Sequence, residues 1–532
     1  MKALKPVWKS TAALLVALSL VALPACKETE PVPSTGEESA GTTEIASATE
    51  TSSESESDNG IDGKFTVGFG RKACMPDGSV IMSNYGVKRY STGYFNKIYL
   101  NCVAITDAAG ETFLDYSLDI SGTANLSVYT AAKTEVSKLY GIPEDHIHMP
   151  NTHNHQAVAL GADGDSCAEN HVYRAKFTKT LVEVAKLAME DRKEATIEIG
   201  EGMAEGLTYV RAYFMDDGSV QGDNYNPGTG TTYVSHANTG EPDRSIQLIR
   251  FNREDGKDIL LMGWRSHNHL QGGSTKTILQ GGFPTATVEY LEERHPDLYV
   301  VYYQCDAGRL NPTSNIQSEW IDPENKSMKI PDFAEKLGGY VEEGMAHMES
   351  AETGLLKFVT YNYVGKSNHE KQELQSYANE IYSQFSAGKI SPSDGMKLCR
   401  EVNAKLGLSY RDGLHSVYHC NAIVSNVGKP ENINMHLYAV SIGPDIGLTF
   451  SAYEMFDSNG KYIRENSPFK LTMTVCYLDA TPGDTCSGGY VPDREAFEYG
   501  CYEADRTQLQ PGSAEELADR YVEMLKELKA EY

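Results

Sequence analysis

Two histidine pairs open the chemistry of this chain. His153 and His155 lie in "PNTHNH", and His267 and His269 lie in "GWRSHNHLQGG". Neutral imidazoles are the commonest side-chain ligands for transition metals. On an extended segment, alternate residues project to opposite sides. One ring of a pair could then hold a metal while the other faces a substrate. The plainer reading of either pair is a polar, Asn-rich turn. Glu454, in "GLTFSAYEMF", could complete a His/His/Glu set suited to Zn²⁺ with an open position. It could equally be an acid at a helix N-terminus, stabilised by the dipole. Tyr490 follows two glycines in "CSGGYVPD". That would free its phenol to reach a metal or an oxyanion, or make it a strand tyrosine after a turn. "QCDAGRLNP", with Arg309 and Asn311, is a site loop or an ordinary turn.

Other motifs narrow the chemistry. "GFGRK" (Gly68–Lys72) and "GTGTT" (Gly228–Thr232) lack the spacing of a P-loop or a dinucleotide fingerprint. There is no G-x-S-x-G elbow and no H-E-x-x-H.

The candidate residues sit at strand ends, where loops of an α/β sheet collect ligands. "KFTVGFG" and "KIYLNCVAITD" read as strands, being β-branched and aromatic. "YTAAKTEVSKLYGIP" reads as a helix ending at Gly141. "RAKFTKTLVEVAKLAMEDR" sets Phe177, Leu181, Val184 and Ala188 on one helical face. "SIQLIRF" and "DILLMGW" read as a hairpin around an Asp-Gly turn. "FPTATVEYLEERHP" reads as a helix leading to the buried strand "LYVVYYQ". Residues 333–404 read as largely helical, then "HCNAIVSNV", "NMHLYAVSIG" and "GLTFSA" as strands, then a last helix. The expectation is an α/β (mixed α+β) fold with a central mixed sheet flanked by helices.

The N-terminal segments lie outside that unit. Residues 1–26 carry three lysines, a short apolar run and "LPAC", the pattern of a lipoprotein signal peptide with Cys26 as its lipobox cysteine. Residues 27–60 are Ser, Thr and Glu with little to bury, which predicts a disordered tether. Residues 61–532 remain, enough for one elaborate domain or two intimate ones, and would carry any catalytic site. The expected location is therefore extracytoplasmic, lipid-anchored to the outer face of a bacterial membrane. The formal charge of −27 falls to about −30 without the leader lysines, which argues against nucleic acid as a partner. Nine cysteines remain besides Cys26, an odd number without CxxC spacing. Cys476 with Cys486 is the most local pair.

Taken in chain order, these segments resemble the neutral (non-lysosomal) ceramidase family, over roughly residues 64–530. "VGFGRKACMPDG" is similar to its "VGxGxxDITP", and "MPNTHNH" to its "THTHSGP". "LIRFNREDGKDILLMGWRSH" follows the layout of its strand ending "NxxxHP". "YYQCDAGRLNP" resembles "GDVSPN", and "GGYVPDREAFEYGCYE" its late Gly-Tyr segment. The resemblance implies a zinc amidohydrolase acting on linear amides. It would cleave ceramide or a related N-acyl amine, through metal-activated water, to a fatty acid and an amine. The implied metal ligands are His153, His267, Glu454 and Tyr490. The implied catalytic residues are His155, as acid to the leaving amine, Arg211 of "LTYVRAYFMDDG", and Tyr490. The carboxy-terminal immunoglobulin-like domain of long ceramidases is expected to be absent.

The departures lie on the substrate side. "QAV" replaces "SGP", Arg309 stands for an Asp, Asn311 for a Ser, and "LQGGFPT" for "SADYPG". Arg309 would meet an anionic substrate group or pair with Asp306. Two other readings stay open: a metal hydrolase of a non-lipid amide or ester, and a decayed surface lipoprotein that binds a ligand.

Overall fold

The computed structural model describes residues 64–83, 88–121, 126–161, 164–216, 220–222, 233–236, 241–270, 276–313, 328–485 and 489–532. The segments expected at 1–60, the "GTGTT" stretch and Cys486 lie outside the described residues. Strands β1 (Phe65–Ala73), β2 (Tyr99–Thr106) and β3 (Thr112–Leu118) form an antiparallel meander. Helix α1 (Leu126–Tyr140) leads to the short strand β4 (Ile147–His148), parallel to β3. Helix α2 (Ala168–Glu190) leads to β5 (Lys193–Met203), on the other side of β1. After the short strand β6 (Thr208–Val210) come the expected hairpin β7 (Ser245–Arg253) and β8 (Asp258–Trp264). Helix α3 (Gly282–Arg294) crosses to β9 (Leu298–Gln304), parallel to β8. The sheet order is β9-β8-β7-β5-β1-β2-β3-β4. Strand β10 (Leu310–Pro312) pairs with β6.

Helix α4 (Ile330–Met345) and β11 (Glu349–Ala351), paired with β5, precede a second sheet. That sheet begins with β12 (Leu356–Lys366), then an insert of α5 (Gln375–Ser386), α6 (Pro392–Leu406) and α7 (Val417–Asn426). Strands β13 (Asn432–Ile442) and β14 (Ile446–Phe450) follow. Short β15 (Glu454–Met455) and α8 (Asp457–Glu465) cross to β16 (Leu471–Val475), giving the order β12-β13-β14-β16. Strand β17 (Tyr490–Val491) pairs parallel with β15, before α9 (Arg494–Tyr499), α10 (Tyr502–Arg506) and α11 (Ser513–Lys529).

Side-chain alternation assigns the faces. Phe65, Val67 and Phe69 of β1, Val103 and Ile105 of β2, and Ile259 and Leu261 of β8 pack against the second sheet. Leu100, Cys102 and Ala104 of β2 lie under α1 and α2, and Leu260, Met262 and Trp264 of β8 under α3 and α4. On the far side, Leu517, Tyr521 and Leu525 of α11 close the core of the second sheet. The result is four layers, with helices outside two face-to-face sheets. The glycines of "GFG" serve this packing. A Cβ on Gly68 or Gly70 would come within 2.1 Å of the Ala188 or Val184 carbonyl oxygen of α2.

The structure differs from expectation in two places. "HCNAIVSNV" is helix α7, because Ser416 caps it by accepting the His419 N–H and its buried residues recur at helical spacing. Residues 333–404 are not uniformly helical. The β-branched and aromatic run "LKFVTYNYV" pairs along its whole length with β13.

Candidate active site

The loop after β4 is pinned by its asparagines. Asn151 Nδ2 donates to the Tyr477 carbonyl (2.7 Å), and Asn154 Nδ2 to the carbonyls of Gln280 (2.5 Å) and Asp119 (3.2 Å). Asn151 Oδ1 accepts the His153 N–H (3.0 Å). The turn carries His153 into the left-handed region, at φ 51°. The pair is therefore not extended, and its rings do not point to opposite sides as expected. They converge, with Nε2 atoms 3.0 Å apart. His153 is buried, whereas His155 is half-buried. His153 also stacks on Tyr477, at 4.1 Å between ring centroids. Tyr477 itself has φ 60°. Left-handed non-glycine residues cost energy and persist where their surroundings impose them.

The second pair follows β8. The His267 backbone N–H and ring Nδ1 both reach the Leu310 carbonyl, at 3.0 and 2.8 Å. A carbonyl only accepts, so Nδ1 carries the proton and Nε2 presents its lone pair. That lone pair faces Glu454 Oε2 at 3.3 Å, and the same oxygen lies 3.5 Å from His153 Nε2. The His155 N–H donates to the Asn268 carbonyl (3.2 Å), which joins the two loops. Glu454 and Tyr490 are exact register partners across the β15–β17 pairing, so residues 36 apart in sequence arrive together.

Arg211 closes the other side. Its Nη2 donates to the Tyr490 hydroxyl (3.1 Å) and the Gly308 carbonyl (3.0 Å), and its Nη1 to Asn311 Oδ1 (3.3 Å). Its Nε donates to Glu503 Oε1 at 2.5 Å, with both side chains buried. Asn311 Oδ1 also receives His269 Nε2 (2.9 Å). Arg309 neither faces the site nor pairs with Asp306. It binds Asp457 (2.6 Å) and lies 3.5 Å from Asp493. Asp306 is held instead by Thr474, Cys476 and Arg464.

The unsatisfied atoms of the donor set bear on whether it suits a metal. His267 Nε2 and Glu454 Oε2 are buried without a hydrogen-bond partner, although only 3.3 Å separates them. A buried lone pair facing a carboxylate oxygen is costly unless a metal cation or a proton lies between them. The imidazoles of His153, His155 and His267 can bring one nitrogen each within 4.8 Å of one another. Burial pushes all three well below the usual histidine pKa, so each is neutral and ready to ligate. Burial also pushes the Glu454 carboxyl up to about 8, against Arg211 and a hydrogen bond from Tyr490. Without a positive partner the carboxyl takes a proton. The residues fit a divalent metal ion.

A second group, His415, His419 and Asp505, has similar composition but different bonding. His415 Nδ1 bonds Asp505 (3.0 Å), its Nε2 faces Lys371 Nζ (3.3 Å), and His419 Nδ1 accepts the His415 N–H (3.2 Å). Those bonds account for the cluster as a clasp between α7 and α10.

The structure thus brings together His153, His155, Arg211, His267, Glu454 and Tyr490. Sequence reasoning missed Glu503 and Tyr477. Glu503 sits in a segment already singled out for Tyr490, and a buried acid there could have been matched to Arg211. Tyr477 carried no signal, since its backbone conformation is set by its neighbours in space.

No protein-family model matches the chain, and no curated protein matches it. Solved structures do match, two ceramidases among them. One is a neutral ceramidase from Pseudomonas aeruginosa, with TM-score 0.61, 13% identity, and coverage of 88% of this chain and 75% of that one. The other is a ceramidase complexed with C2, with TM-score 0.62, 12% identity, and coverage of 88% and 76%. The chain has a neutral-ceramidase-like fold.

Proposed function

We propose that this chain is a zinc-dependent amidohydrolase that cleaves the amide of ceramide or a related N-acyl amine into a fatty acid and an amine. The observation that carries this reading is the facing pair of unsatisfied buried atoms, His267 Nε2 and Glu454 Oε2, beside His153. The ceramidase-like fold supports the choice of substrate class. His153, His267, Glu454 and Tyr490 would hold the ion. Zn²⁺ in such a set supplies Lewis acidity, polarising a carbonyl and acidifying water.

The chain's own residues do the rest. His155 is the more exposed ring of its pair and would meet the substrate. Neutral at pH 7, it can accept a proton at one ring nitrogen and pass it to the leaving amine. Arg211 donates to the Tyr490 oxygen while the Tyr490 hydroxyl bonds Glu454, so the phenol is fixed at the site. With Glu454 holding the ion, the phenol hydrogen could turn to a carbonyl oxygen as negative charge grows there. Glu503 holds Arg211 in that position. The asparagine-pinned loop keeps His153 and His155 in place without help from the substrate.

The sequence of residues 1–26 supports export, with anchoring to the outer face of a bacterial membrane through lipid on Cys26. A second reading changes only the substrate. Asn311 stands where the family pattern has a Ser, and it bonds His269 beside Arg211. Such a wall would suit a different amide or ester.

Metal analysis paired with hydrolysis of a fluorescent N-acyl amide tests the proposal. Wild type is expected to carry about one zinc per chain and to turn the amide over. His267→Ala should lose both while keeping its circular dichroism spectrum. A metal-free wild type, or undiminished turnover in the variant, would overturn the reading. Zinc without turnover of any N-acyl amine or ester would point instead to a ligand-binding lipoprotein.

A further inference from the structure

The insert between β12 and β13 has a small core of its own. Ala378 and Ile381 of α5, Cys399 of α6, and Val417, Cys420 and Ile423 of α7 meet there, apart from the larger cores between the sheets. Cys399 and Cys420 are fully buried, and their Sγ atoms lie 3.8 Å apart. Buried cysteines serve as small apolar groups on their own account. Here two of them face each other across α6 and α7, beside the contact of Gly395 with Val417 and the bonds of Asn403 to Leu414.

We propose that Cys399 and Cys420 are joined by a disulfide in the mature protein. Forming the bond would bring the two sulfurs from 3.8 Å to about 2.05 Å. The bond would close a loop between positions 21 apart and so restrict the unfolded chain. A small core gains most from such a tie, because it buries little apolar surface for the residues it orders.

The chemistry balances with a small disulfide as oxidant. One Cys thiolate attacks a sulfur of oxidised glutathione and releases one glutathione thiol. The second Cys thiolate then attacks the mixed disulfide and releases the other. One S–S bond forms and one breaks. Two electrons pass to glutathione, and the two cysteine protons end on its thiols.

The tie bears on the candidate site through α7. His415, just before α7, bonds Asp505 of α10 (3.0 Å), and Glu503 on the same short helix holds Arg211. A stapled insert gives α10 a fixed support.

The test uses the full chain in a glutathione redox buffer, at a urea concentration just below unfolding so that the helices open. The protein is then denatured in iodoacetamide without reductant and digested. The expected product is a cross-linked peptide pair carrying Cys399 and Cys420, neither alkylated, that separates after dithiothreitol. The unfolding midpoint should fall on reduction in wild type and stay constant in Cys420→Ala. The proposal is overturned if both cysteines are alkylated, if either is linked to another cysteine, or if both end as glutathione adducts.

Discussion

His153 shows how much one residue's backbone can decide. Its left-handed φ turns an H-x-H from a divergent pair into a convergent one. The energetic problem at the site is then a lone pair and a carboxylate oxygen buried face to face. Glu454→Gln removes the negative partner and should abolish tight metal binding, read as metal retained after gel filtration. Tyr490→Phe removes one donor. It should lower kcat by roughly 10²–10³ if the phenol stabilises the oxyanion, with a much smaller change in urea unfolding. Equal losses of activity and stability would make Tyr490 a structural residue. Glu503→Ala leaves the buried Arg211 guanidinium without its carboxylate. A loss of about 3–5 kcal/mol in unfolding free energy is expected.

Elements bring distant residues to the site by simple means. The parallel pairing of β15 with β17 aligns Glu454 with Tyr490. The return from β9 to β10 places the Leu310 carbonyl where it fixes the His267 tautomer. Close packing keeps these strands in register. Gly70 lies against the backbone of α2, and a methyl there would meet the Val184 carbonyl oxygen at 2.1 Å. Backbone yields less than a side chain, so Gly70→Ala should cost at least the 1–3 kcal/mol usual for overpacking. Thermal unfolding of the purified variant checks this. An unchanged midpoint would mean that α2 can shift outward freely.

At the scale of the whole molecule, the two sheets meet around another histidine. His148 packs edge-on against Phe113 of the first sheet and against Phe450 and Tyr438 of the second. Burial holds its pKa well below the usual value. The folded state keeps the ring neutral, while the unfolded chain takes up a proton below about pH 6.5. Stability from this group is therefore full above that pH and is lost as pH falls towards the folded pKa. The loss approaches about 1.4 kcal/mol per pH unit. Other buried groups titrate too, so the measure is a difference. Between pH 7.5 and 5.5, wild type should lose more stability than His148→Gln, and parallel curves would remove His148 as the cause.

Local pattern alone determined a good deal of this protein. The expected helices α1, α2, α3 and α11, the β7–β8 hairpin and the strands around them stand as read, because periodicity and turn residues act over a few positions. The types of residue at the candidate site were also legible, since neutral histidines, a late glutamate and a tyrosine after glycines carry their chemistry in their side chains. Tertiary structure decided the rest. "LKFVTYNYV" became a strand because β13 offered it an edge, whereas the helix at "HCNAIVSNV" had a local signal in its Ser416 cap that the strand reading passed over. The direction of the His153 ring against Tyr477, the burial of Arg309 among Asp457 and Asp493, and the Glu503–Arg211 pair depend on partners hundreds of residues away. Hydrogen bonds and ion pairs across such separations leave no local period in a sequence, so only the folded chain could reveal them.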